Sequence, residues 1–164
     1  MNLHIVLVEP EIPANTGNIS RTCSITGAAL HLVRPFGFEI TDKHVKRAGL
    51  DYWDELEIYE YGSFGEVLEK YPNAAFYYCT TKADKCYADM YYTAAGDKDL
   101  FLVFGKETKG LPESLLKANL DKLIRIPMKE GRRSLNLSNA VAVIAYEVLR
   151  QNKFENLKTE GVLQ

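Results

Sequence analysis

Apolar runs recur along the chain at residues 3–8, 30–33, 56–59, 75–80, 100–104 and 122–126. Several are nearly unbroken in Val, Ile, Leu and aromatic residues, the pattern of strands covered on both faces. Between the runs the spacing becomes helical. Asn15 or Thr16 can cap a helix that Gly27 ends, Asp42 can cap one that Gly49 ends, and Ser63 with Glu66 forms a capping box before Val67 and Leu68. The longest stripe starts near Asn136, with Leu137, Ala140, Val141, Ile144, Ala145, Val148 and Leu149 on one helical face. Val143 and Tyr146 add apolar surface on another side, which either the C-terminal tail or a second subunit would cover. Alternating strands and helices predict an α/β protein with a mainly parallel sheet, and the rule that connections do not thread one another makes that an ordinary doubly wound sheet.

Composition narrows the organisation. With 164 residues, 46% hydrophobic and 26% charged, the chain suits a single domain over residues 1–151 followed by a loosely held tail, 152–164. No apolar run approaches a membrane span, and the first residues lack the charged start of a signal peptide, so a cytoplasmic protein without membrane contact is expected. Cys23, Cys79 and Cys86 form no C-x-x-C pair, and His4, His31 and His44 make no ligand pattern, so no metal is expected. Cys79 reads as a small core residue rather than a nucleophile. A net charge of -2 argues against broad nonspecific binding to nucleic acid. It leaves room for a focused basic face, with candidate clusters at Lys43, Lys46 and Arg47, at Lys82 and Lys85, at Lys106 and Lys109, and at Lys129, Arg132 and Arg133.

Candidate chemistry gathers where strands end. The run at 100–104 leads into Gly105-Lys106-Glu107-Thr108-Lys109-Gly110-Leu111-Pro112, and the next into Ile126-Pro127-Met128, followed by Arg133-Ser134-Leu135-Asn136-Leu137-Ser138-Asn139. In a parallel sheet such carboxyl ends are where ligands sit. Gly105 and Gly110 allow close approach of a ligand to backbone or a positive φ, and Pro112 suits a helix opening. The spacing from Gly105 to Gly110 imitates half of a phosphate loop, but Leu111-Pro112 stands where Lys-Ser/Thr is required. Ser114 and Lys117 have no companion motifs of a penicillin-binding enzyme, and no G-x-G-x-x-G follows a predicted strand. After the first strand, Pro10 to Thr22 forms a restricted loop and helix start bearing Arg21, whose planar fork suits either a carboxylate partner or an RNA phosphate.

Three segments taken together, Asn15-x-Gly17-Asn18-x-x-Arg21, Phe104-Gly105-x-Glu107-x-x-Gly110-Leu111, and Ile126-Pro127-Met128 with Ser134-x-Asn136-Leu137-Ser138-Asn139-Ala140, resemble in order and spacing the motifs of the SPOUT class of RNA methyltransferases. The resemblance runs from Ile5 to about Gln151. Glu9-Pro10-Glu11-Ile12-Pro13 and Arg47-Ala48-Gly49-Leu50-Asp51-Tyr52-Trp53 are similar to the branch that methylates the ribose 2′-oxygen of the wobble nucleotide, cytidine or uridine, in leucine tRNAs. It implies a Rossmann-like, mainly parallel sheet with a C-terminal trefoil knot, S-adenosylmethionine bound in that knot, and a homodimer acting on the tRNA anticodon arm. The implied donor pocket comprises Cys79, Thr80, Gly105, Ile126, Met128, Ser134 and Leu135. The implied catalytic residue is Arg21. Asn18, Lys46, Arg47, Glu107, Asn136, Ser138 and Tyr146 are the expected substrate contacts, with Glu107, Asn136 and Ser138 open to a role in loop structure and Tyr146 to one at the second subunit.

S-adenosylmethionine carries its methyl on a sulfonium, so such a protein mainly aligns the ribose oxygen and assists proton removal. Guanidinium groups keep their proton in proteins, so Arg21 is expected to bind phosphate and stabilise the oxyanion, with the proton acceptor open. A noncatalytic RNA-binding module and a methyltransferase acting on another nucleotide are the alternatives. Retention of Arg21 beside all three loops favours the enzyme, and the Asn15 to Arg21 segment favours ribose chemistry.

Overall fold

A computed structural model describes residues 1–40 and 56–163. The helix expected between Asp42 and Gly49, together with Lys43, Lys46 and Arg47, lies outside the described residues. Apolar runs become strands β1 (Asn2–Val8), β2 (Ala29–Val33), β3 (Ile58–Tyr61), β4 (Ala75–Cys79), β5 (Asp99–Phe104) and β6 (Leu123–Ile124). They form one sheet in the order β3-β2-β1-β5-β4-β6, and every neighbouring pair is parallel. The helices are α1 (Pro13–Thr26), α2 (Phe64–Lys70), α3 (Glu113–Lys117) and α4 (Leu137–Gln151).

Alternation along the strands sends side chains to two buried faces. Ile5, Leu7, Leu30, Leu32, Leu100 and Leu102 meet Ile19 and Cys23 of α1 and Val141, Ile144 and Val148 of α4. On the other face, Val6, Val33, Phe76, Phe101 and Val103 meet Val67 of α2 and Leu116 of α3. Each fully buried Leu or Phe contributes about 1.5–3 kcal/mol over exposure, which is why these strands tolerate so few polar residues. Two exceptions sit side by side on the second face. His4 Nδ1 and His31 Nε2 lie 2.9 Å apart, and His31 Nδ1 is 3.0 Å from the Tyr61 hydroxyl. The spacing of these histidines along the chain carries no sign of the contact, because neighbouring parallel strands create it.

Several boundaries differ from expectation for local reasons. Helix α1 starts at Pro13, with proline in its favoured first-turn position, so Asn15 and Thr16 are buried inside the first turn rather than capping it. Strand β3 runs later than 56–59 because its register opposite β2 pairs Leu30 with Ile58 and Val33 with Tyr61. Strand β6 stops at Ile124 instead of continuing to Ile126. Arg125 bonds instead to the segment after β4, its N–H donating to Lys85 O and its carbonyl accepting from Tyr87 N. Ser63 is the N-cap of α2 without a side-chain hydrogen bond; Glu66 reaches back to Gly62 N at 3.1 Å, one residue short of a true capping box. Pro112 occupies the N-cap of α3. The tail is anchored further than expected: Phe154 and Leu157 pack on the core, and only residues 158–163 are exposed throughout.

Candidate active site

The register aligns the strand ends that matter. Leu7 pairs with Phe104, Phe104 with Cys79, and Cys79 with Ile124. The loops leaving β1, β5, β4 and β6 therefore emerge along one edge of the sheet, and α4 returns from the β6 edge to pack beside α1. Between these loops lies a cavity of about 800 Å³, within the usual range for a small-molecule site. All seven residues of the expected donor pocket line it: Cys79 and Thr80 from the β4 end, Gly105 from the β5 end, and Ile126, Met128, Ser134 and Leu135 from the segment between β6 and α4. Phe104, Leu111, Ile124 and Ile144 supply further apolar wall. Burial pushes the Cys79 thiol well above its ordinary value, which keeps it in the thiol form and agrees with a packing role.

Gly105 is required by the loop itself. A Cβ there would overlap the peptide joining Gly110 and Leu111, so the loop folding on itself demands glycine at this position of the cavity wall. Gly110, at φ 69°, closes that turn with its N–H donating to Lys106 O at 2.8 Å.

Glu107, Asn136 and Ser138 are engaged with the protein's own loops. Glu107 accepts from the N–H groups of Glu11 at 2.8 Å and Ile12 at 3.1 Å, and from Asn15 Nδ2 at 3.2 Å. Helix α1 has neither a side-chain cap nor an acidic residue in its first turn, so Glu107 supplies negative charge at its entry. Asn136 Nδ2 donates to Asn15 Oδ1, while Asn136 Oδ1 caps α4 by accepting from Ser138 N at 3.0 Å and Ser138 Oγ at 2.6 Å. A reciprocal clasp runs the other way: Thr108 N and Oγ1 donate to Glu11, holding that carboxyl below its usual range. Beside it, Lys106 pairs with Glu9 at 2.9 Å, and Glu9 holds φ at 53°, a left-handed conformation unusual for a residue with a side chain. Glu11, Asn15 and Thr108 thus belong to the site's framework, although none of them is among the site residues expected from the sequence. The available signals are the place of Asn15 in the first motif, of Glu11 in the segment before it and of Thr108 in the Gly105–Pro112 loop.

Arg21 and Asn18 are exposed on α1 and do not line the cavity of their own chain. The ninth residue of α1, Arg21 lies roughly 12 Å along the axis from the helix start. Tyr146 and Val143 are exposed on α4, and Ile25 on α1. Lys46 and Arg47 lie outside the described residues. Among the described residues, no three His, Cys, Asp or Glu side chains form a group able to hold a metal ion, and no helix is long and apolar enough to cross a membrane.

The fold is shared with known proteins. A Listeria innocua protein named as a candidate tRNA (cytidine(34)-2'-O)-methyltransferase is 55% identical over 157 residues, which cover 96% of this chain and 92% of that one. A solved structure described as giving insight into the 2-OH methylation of C/U34 on tRNA superposes with a TM-score of 0.85 at 40% identity, covering 93% of this chain and 97% of the other. The fold is also that of the SpoU methyltransferase AviRb from Streptomyces viridochromogenes, solved in complex with AdoMet, with a TM-score of 0.82 at 24% identity over 96% of this chain and 59% of that one. Residues 2–146, which include every loop around the cavity, match the SpoU rRNA Methylase family, and the chain belongs to that family.

Proposed function

We propose that this protein uses S-adenosylmethionine to methylate the ribose 2′-oxygen of the wobble nucleotide, cytidine or modified uridine, in the anticodon of leucine tRNAs, acting in the cytoplasm as a homodimer. The observation that carries this reading is the meeting of Cys79, Thr80, Gly105, Ile126, Met128, Ser134 and Leu135 around one cavity at the carboxyl edge of the sheet. The names borne by the Listeria innocua relative and by the C/U34 structure support the position and the ribose chemistry.

The residues present suit the methyl donor. Ile126, Leu135 and Leu111 offer apolar contact to an adenine face, and Thr80, Ser134 and exposed loop backbone offer polar contacts to the remainder. Bound there, S-adenosylmethionine would supply a methyl carbon activated by its sulfonium for transfer to the ribose 2′-oxygen. The chain's own contribution is position. Glu107, Asn15 and Asn136 fix the entry of α1 against the donor loops, and the return of the chain from β6 to α4 is the segment that would thread the trefoil. Arg21 does not line its own cavity, so we assign it to the cavity of a second copy, where its fork holds a phosphate beside the target ribose and stabilises the developing oxyanion. Exposed Ile25, Val143 and Tyr146 on the adjacent helices α1 and α4 supply apolar surface for that copy.

Nucleoside mass spectrometry of tRNA from cells with and without the protein tests the reading. Loss of 2′-O-methylated cytidine and uridine derivatives from the wobble position of leucine tRNAs is expected. Unchanged tRNA with a missing methyl group in ribosomal RNA would overturn the substrate assignment.

A further inference from the structure

The charge of the cavity runs against that of the chain. Its lining contains five cationic residues, Lys82, Lys106, Lys109, Arg125 and Arg133, and one acidic residue, Glu107, whereas the whole chain carries a net charge of -2. Lys106 is paired with Glu9, and Glu107 is occupied by the α1 entry. The other four cations have no carboxylate partner among the described residues. They come from three different loops, with Lys82 following β4, Lys109 following β5, and Arg125 and Arg133 following β6.

The methyl donor does not account for them. S-adenosylmethionine has a carboxylate, an ammonium and a sulfonium, and so is itself a net cation; four unpaired positive groups around its cavity disfavour it. Gathering them has a physical return only if a polyanion closes over the same opening. We infer that Lys82, Lys109, Arg125 and Arg133 form a phosphate-binding rim that takes the RNA backbone on both sides of the target nucleotide. The inference rests on the reading that this chain methylates RNA. Arg125 is the best-positioned member, since its backbone is fixed on both sides by Lys85 and Tyr87 and the residue, half-buried, lines the cavity. Sequence periodicity puts Arg125 inside a strand and assigns it no role.

The test is fluorescence anisotropy of an RNA stem–loop with the sequence of a leucine-tRNA anticodon arm, titrated at several salt concentrations against the full chain. Arg125→Gln with Arg133→Gln is expected to weaken binding roughly tenfold at ~0.15 M salt, and the fourfold variant that adds Lys82→Gln and Lys109→Gln more strongly. For every cation that pairs with an RNA phosphate, its neutralisation should reduce the slope of log affinity against log salt by about 0.7–0.9. Lys158→Gln on the exposed tail should change neither quantity. Calorimetry with S-adenosylmethionine and thermal melting check that each variant is folded; if the fourfold variant is not, the four single variants are read instead. Unchanged affinity and slope in folded variants overturns the rim. Mass spectrometry of tRNA incubated with wild-type protein and donor separates this from the functional reading: RNA binding that depends on the rim without any wobble methylation keeps the rim and removes the assigned reaction.

Discussion

Asn136 and Asn15 stand 121 positions apart in the chain, yet the Asn136 side-chain amide donates to the Asn15 side-chain oxygen, Oδ1, at 3.0 Å. Asn15 in turn donates to Glu107, so the entries of α1 and α4 and the loop after β5 share one set of hydrogen bonds. A donor pocket assembled from several loops needs such cross-ties, because each loop alone would sample many conformations.

Glu107→Ala should expose this dependence. It leaves the N–H groups of Glu11 and Ile12 and the Asn15 amide without their acceptor, at a cost of about 1–3 kcal/mol. A melting temperature several degrees lower is expected, with Glu107→Gln intermediate because it keeps one acceptor oxygen. An unchanged melting temperature for the alanine variant would mean that water replaces the carboxylate fully.

Gly105→Ala and Gly110→Ala should behave differently. A Cβ at Gly105 overlaps the Gly110–Leu111 peptide, so the loop must open and S-adenosylmethionine affinity should fall by more than tenfold in calorimetry. At Gly110 nothing lies within reach of a Cβ, and the cost is that of a left-handed backbone alone, about 1–2 kcal/mol. Equal donor affinity in both variants would contradict the self-contact as the reason for Gly105.

Arg21→Ala should keep donor affinity within a few-fold while ribose methylation at saturating tRNA falls by several orders of magnitude; Arg21→Lys should rescue little, since a point charge does not replace a fork. Because Arg21 is outside its own cavity, mixing unfolded Arg21→Ala and Gly105→Ala chains and refolding them together should restore, at a donor concentration too low for the Gly105→Ala pocket, a measurable part of the activity that neither variant has alone. Mixed chains that light scattering shows to be dimeric but that stay inactive would place Arg21 elsewhere. Near-normal turnover by Arg21→Ala would make it structural.

The buried histidines predict a loss of stability in acid. Burial, followed by the charge of His4, lowers His31 to about 3, and burial lowers His4 against the opposing pull of Asp99 and Glu57, with Lys70 adding to the lowering. The folded chain therefore binds fewer protons than the unfolded chain below the ordinary histidine value of 6.5. Stability from this source is complete above that value and is lost as pH falls toward 3, at up to about 1.4 kcal/mol per pH unit for each histidine. Melting curves at pH about 7.5 and about 5 should differ, and His31→Gln should narrow the difference. Identical wild-type melting temperatures would mean that the pair accepts a proton without cost.

Periodicity in the sequence determined the alternation of strands and helices, the parallel sheet and the core stripe of α4, since burying apolar side chains with a period of two or 3.6 is a local property of the chain. The loops at Gly105, Ile126 and Ser134 were recognisable from their residues, and the seven positions that the resemblance implied are among those lining the cavity. Tertiary structure decided what the periodicity does not carry. Strand register set the meeting of Cys79 with Ile124, and of His4 with His31. The crossing of loops turned Glu107 into a support for α1 and made the peptide after Gly110 the reason for Gly105. It also gathered Lys82, Lys109, Arg125 and Arg133, scattered along an acidic chain, onto one opening. Such contacts join residues far apart in sequence, so only the closed sheet and its returning helix create them.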